Sequence, residues 1–118
     1  MCKQVDIAWV LMPDPNRQNH KTRPFVIVSD AENVPDDEPL AGVAVSSQVP
    51  NPIPSNQVPL PWDNSRHRVT GLYKPSVAVC DWLATFSRAQ IENIQGHVPG
   101  KQMVQIIRHI SGYDSASP

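Results

Sequence analysis

Hydrophobic and polar positions alternate over VDIAWVLM (residues 5–12), with Val5, Ile7 and Trp9 on one face and Asp6 and Ala8 on the other, which predicts a strand. RPFVIVS (23–29) is a nearly continuous β-branched run and predicts a central strand, apolar on both faces. AGVAVSSQV (41–49) predicts a third strand, its small residues allowing close backbone approach. NPIPSNQVPLPW (51–62) alternates proline with other residues, as an extended edge strand or a polyproline II segment does. VTGLYKPSVAVCDWLATF (69–86) predicts a turn or bulge at Gly71, then a strand through Val77 and Val79 towards Phe86.

Helical signals come late in the chain. SRAQIENIQG (87–96) offers Ser87 as N-cap, Gln90 as its capping-box partner and Gly96 as a stop. PGKQMVQIIRHISG (99–112) puts Met103, Ile106, Ile107 and Ile110 on one stripe, with Gly112 as its stop. Such a stripe is expected to pack on the sheet. Strands first and helices last, joined by short connections, predict a small antiparallel barrel or sandwich with helices on one side. A Gly-rich phosphate loop and a parallel βαβ signal are both missing from the sequence, which argues against a nucleotide-binding α/β fold.

The 118 residues suit one domain, taken as 1–112, with 113–118 as a loose tail. Seven of the 13 prolines (Pro35, Pro39, Pro50, Pro52, Pro54, Pro59 and Pro61) fall between residues 35 and 61 and exclude helix there. Two cysteines, Cys2 and Cys80, make no disulfide framework and are expected to be reduced thiols. The opening MCKQVDIAWVLMPDP has only a six-residue apolar run before Pro13, too short for a signal or a membrane span. The chain is therefore expected to be soluble and cytoplasmic.

A net charge of −1 argues against a uniformly basic nucleic-acid binder. The distribution is uneven. Arg17, Lys21 and Arg23 lie in one acid-free window, and Arg66, Arg68 and Lys74 in another. Five of the eleven acids lie in DAENVPDDE (30–38). If the two basic windows fold together they form an anion site; otherwise they are ordinary solvated loops.

His20, His67, His97 and His109 show no metal-ligand spacing with one another or with cysteine, so no metal or cofactor is expected. Ser46, Ser47 and Cys80 are in no nucleophile-elbow motif. What remains is Arg23, Ser46, Gln48 and Asp81 at predicted strand ends, with His20 and Lys21 nearby. Arginine suits phosphate because its planar fork donates parallel hydrogen bonds and stays charged. A Ser46 hydroxyl could donate to another phosphate oxygen, and Asp81 could orient the arginine or take a proton. The bland alternatives are a surface ion pair for Arg23 and strand-end capping for Asp81.

These stretches resemble, in order, the PemK/MazF family, the toxin half of bacterial toxin–antitoxin pairs. VDIAWVLMPDP is similar to its opening strand, KTRPFVIVSD to its Arg-Pro strand and VAVSSQ to its third strand, which ends in Thr/Ser-x-Gln. TGLYKPSVAVCDWLATFSRAQI and GHVPGKQMVQIIRHI resemble its closing blocks. The resemblance implies a mainly β (α+β) fold, an SH3-like antiparallel barrel with C-terminal helices, and a homodimer. It implies a metal-independent endoribonuclease that cuts single-stranded RNA by attack of the 2′-hydroxyl on the adjacent phosphate. Arg23 then matches the catalytic arginine, Ser46 a catalytic hydroxyl and Asp81 an aspartate that some members use. His20, Lys21, Gln48, Arg66, Arg68 and Lys74 would contact RNA. The implied partners are a cognate antitoxin and, only with it, promoter DNA. No membrane partner is implied.

The sequence also departs from the family. Val5 replaces a usual glycine, Val79 and Ala84 replace arginines, Trp82 replaces a glutamine, and a proline-rich segment replaces a loop that governs access. These departures support a second reading: a catalytically silent barrel that binds a partner through Trp62 and Trp82, unless at least one of them is buried in the core.

Overall fold

The computed structural model describes residues 4–13 and 20–116, with side chains over 4–12 and 21–110. Cys2, Arg17 and most of the first loop lie outside the described residues. Six strands, β1 (Asp6–Pro13), β2 (His20–Ile27), β3 (Leu40–Ser46), β4 (Gln57–Leu60), β5 (Ser76–Phe86) and β6 (Ile91–His97), form one antiparallel sheet in the order β4-β5-β3-β2-β1-β6. Among the described residues there is a single α-helix, α1 (Gly100–Ala116), which follows β6. The sheet is open but curls in a barrel-like way, giving the mainly β fold expected.

Alternation along the strands sorts the core into two clusters. Ile7, Val26, Val43 and Val45 join Val58, Leu60, Leu72, Ala78 and Cys80 on the side covered by Met103 and Ile106 of α1. Ile107 and Ile110 pack on the same cluster, completing the expected stripe. Ala8, Val10, Phe25, Ile27 and Ala44 join Ala31, Leu40 and Phe86 on the other side. The unbroken apolar run of β2 follows, because a strand between β1 and β3 is buried on both faces. Gly42 in β3 makes room for a ring rather than a backbone: a Cβ there would meet Phe86 at 2.9 Å.

Two helical expectations fail. Residues 87–96 form one 3₁₀ turn (Arg88–Gln90) followed by β6. The Gln90 side chain does accept from the Ser87 amide at 2.9 Å, but it caps only that turn. Ile91, Asn93 and Ile94 then pair with Val10, Trp9 and Ala8. Ile and Asn are indifferent helix formers, and the open edge of β1 gives their backbones a better partner. The second helix forms but does not stop at Gly112. No helix among the described residues is long and apolar enough to cross a membrane.

Candidate functional site

Pro24 shapes the site from the backbone upward. It has no N–H to carry on a ladder, and it holds the preceding Arg23 in extended geometry. The β2–β3 ladder ends at Phe25 opposite Ala44, although β2 stays paired with β1 as far as His20. Continued by two residues, the same register would set Arg23 against Ser46. Here the strands border a cleft of about 470 Å³. Its wall includes Lys21, Arg23, Ser46, Gln48, Lys74 and Trp82. The sheet's curl brings Trp9 and Gln95, from β1 and β6, to the same cleft.

The two basic windows therefore meet, in part. Lys21 and Arg23 from the first and Lys74 from the second line one cleft, and among the described residues its lining contains no carboxylate. The Ser46 hydroxyl oxygen accepts from the Gln48 amide at 3.1 Å, which leaves its hydrogen free to donate. The Trp9 indole donates to Gln95 Oε1 at 2.5 Å and is thereby fixed in the wall. Buried Ser76 donates to the Lys74 carbonyl at 3.1 Å, holding the backbone that carries that cation.

Other expected residues stand apart. Arg66 and Arg68 are exposed and outside the lining, as is Asp81. The His20 backbone opens β2 opposite Pro13, and its side chain lies outside the described ones. Asp81 sits in a bulge of β5: Val43 pairs with Leu83 but Ala44 with Val79, so Cys80, Asp81 and Trp82 are extra. Burial, reinforced by the Asp81 carboxylate, pushes the Cys80 thiol up to about 11. It is a core group, not a nucleophile.

The aromatic lining was only partly foreseen. Trp82 is 46% exposed and Trp62 42%, so neither fills the core as expected of at least one. Trp82 lies beneath the Arg23 guanidinium, whose carbon is 5.6 Å from the ring centroid. A bulge of this kind has no local sequence signature, so the contact could not be read from residue spacing.

The model of the PemK-like, MazF-like toxin of type II toxin–antitoxin systems matches residues 3–112. The chain belongs to this family. Among solved structures, the Mycobacterium tuberculosis toxin MazF-mt6 is 19% identical, with a TM-score of 0.69 over 93% of this chain and 96% of that one. A MazE–MazF structure from Deinococcus radiodurans is 16% identical, with a TM-score of 0.73 over 98% and 97%. An endoribonuclease in complex with its cognate antitoxin from Mycobacterial species is 15% identical, with a TM-score of 0.68 over 100% and 98%. At these identities the likeness establishes the PemK/MazF fold. No curated protein sequence matches the chain.

Proposed function

We propose that this PemK/MazF chain is a metal-independent endoribonuclease toxin acting on single-stranded RNA. The observation that carries the reading is the cleft in which Arg23 and Ser46 stand with Lys21 and Lys74, with no carboxylate in its lining among the described residues. A strand laid along it meets fixed positive charge on its phosphates. The 2′-oxygen attacks phosphorus, the bond from phosphorus to the 5′-oxygen breaks, and a 2′,3′-cyclic phosphate is left. The 2′-hydroxyl loses a proton and the departing 5′-oxygen gains one. Arg23 stabilises the extra negative charge of the phosphorane with two parallel donors, and the Ser46 hydroxyl donates to a third oxygen. Asp81 lies outside the cleft lining but directly precedes, on the bulge, Trp82, which lines it, and takes the 2′-proton through an intervening water.

Arg23→Ala should abolish RNA cleavage and growth arrest while leaving the melting temperature within a few degrees, because the side chain is exposed. Unimpaired cleavage by that variant refutes the reading. Asp81→Asn should slow cleavage by about 10²-fold, the scale of a lost general base; an unchanged rate removes Asp81 from the mechanism. The reading carries with it a cytoplasmic homodimer held in check by a cognate antitoxin, as the MazE–MazF relative is a two-component assembly. DNA contact would come only through that antitoxin. The exposed Trp62, Ile53 and Val49 support the second reading, a silent binding module. Failure to cut RNA of varied sequence, with capture of the product of a neighbouring gene, would favour it.

A further inference from the structure

Among the described residues the Arg23 side chain makes no hydrogen bond and no ion pair; its partner is the Trp82 ring. The consequence is chemical. A carboxylate partner would fix an arginine but neutralise it and occupy its donors. An aromatic face fixes it by quadrupole attraction and leaves all five N–H donors and the full charge for a ligand. Lys74 is held in the same manner, its Nζ 5.9 Å from the Tyr73 ring centroid. Both rings line the cleft.

Trp82 reaches Arg23 only because β5 is bulged. With Ala44 paired to Val79 and Val43 to Leu83, three residues are looped out of the ladder. Cys80 turns into the core while Asp81 and Trp82 stay exposed. We propose that Trp82 is a positioning residue: its indole face holds the Arg23 guanidinium in the cleft with its donors free. The inference rests on the nuclease reading for its catalytic consequence, but the pairing itself does not.

The test uses the full chain and the variants Trp82→Leu and Trp82→Phe. First, NMR should show the Arg23 side-chain protons shifted upfield by the ring current, the shift vanishing in Trp82→Leu and surviving in Trp82→Phe. Second, single-turnover cleavage of a single-stranded RNA should fall roughly tenfold at saturation in Trp82→Leu, with KM changed less than threefold. That loss lies between the two- to fivefold of an exposed cation–π contact and the 10²-fold of a misplaced catalytic group. Trp82→Phe should recover to within threefold of the parent. Melting temperatures should stay within a few degrees, since Trp82 is half-exposed. A retained Arg23 shift in Trp82→Leu overturns the proposal, as does parental cleavage by that variant or equal damage in Trp82→Phe. If the parent protein cuts no RNA, the nuclease reading fails, and binding of a single-stranded RNA oligonucleotide decides instead. Trp82→Leu should then weaken binding severalfold, and should not weaken it further once Arg23 is alanine. Parental affinity in Trp82→Leu overturns the proposal there too.

Discussion

Residues 47–56 and 61–75 both connect strands without regular secondary structure, and both contribute to the cleft wall, yet they are held in opposite ways. In the second, Thr70 is fully buried; its hydroxyl donates to the Pro61 carbonyl at 2.8 Å and accepts from the Leu72 amide at 3.1 Å. His67 Nδ1 accepts from the amides of Val69 and Thr70 at 3.1 and 3.2 Å. Asp63 and His67 both donate their amides to the Leu72 carbonyl. In the first, Val49, Ile53 and most neighbours are exposed, and its backbone hydrogen bonds lie towards its two ends. Side chains thus replace secondary structure in one connection, while proline stiffness serves in the other. The one with the internal network carries Tyr73 and Lys74 into the site.

The sharpest way to break this contrast is Gly96→Ala. A Cβ at Gly96 in β6 would sit 2.4 Å from the Val69 carbonyl oxygen and 2.5 Å from Thr70 backbone atoms. Backbone cannot yield as a flexible side chain can, so the 61–75 connection must move. We expect a loss of at least about 3 kcal/mol, in the range of overpacked core sites. That corresponds to roughly 10 °C in melting temperature for a chain of this size. Cleavage should fall with it. A melting point within 3 °C of the parent would mean that the connection is loosely seated.

Thr70→Val should come next. The shapes are nearly the same, but the Pro61 carbonyl and Leu72 amide lose their partner inside the protein. Leaving buried groups unpaired costs about 1–3 kcal/mol. A similar loss is expected for Arg88→Met at a third connection. Arg88 Nη2 donates to the Ala31 and Val34 carbonyls at 2.7 and 2.8 Å, tying the acidic 28–39 connection to the 3₁₀ turn. Its 3.6 Å approach to Asp36 adds little, because that carboxylate is fully exposed. Thermal melts of the two variants measure both. If Arg88→Met were silent while Thr70→Val was costly, only the cleft-side connection would depend on its side chains.

These networks mark the boundary of what the sequence could disclose. Local patterns sufficed for β1, β2, β3 and β5, because alternation and β-branched runs respond to burial that the strand itself carries. Arg23-Pro24 predicts the start of a strand, but β2 begins at His20; what ends beside Pro24 is only the pairing with β3, and the cleft opens there. The Ser87–Gln90 signal predicts a ten-residue helix because capping chemistry is local, whereas the unpaired edge of β1 that recruits β6 is not. Val5 sits at a φ of 76°, a geometry that favours glycine, at the position where the resemblance expects a glycine. Trp82 is a departure from the family pattern in sequence, and only the bulge in β5 shows what it faces. Arg66 and Arg68 share a window with Lys74 but not its destination, because a connection that folds back on itself sends neighbouring side chains to different places.

The smallest effect is expected in the proline-rich connection. Ile53 is 39% exposed, and Ile53→Ser should change stability by less than about 0.5 kcal/mol, the scale of a surface substitution. Cys80 supplies a local gauge of the same region, because its amide donates to the Asn56 carbonyl at 3.0 Å. Its thiol is raised from 9.0 to about 11, so folding favours the neutral form. Between those pH values the unfolded chain holds fewer protons at this site than the native one, so stability falls as pH rises from about 9 to about 11. Alkylation of Cys80, followed by mass spectrometry of its peptide, should therefore keep rising with pH beyond 9 in both parent and Ile53→Ser. Faster labelling at pH 8 in Ile53→Ser alone would show that this exposed isoleucine closes the connection over the core. The contrast with 61–75 would then be one of degree, because both connections would be held by side chains.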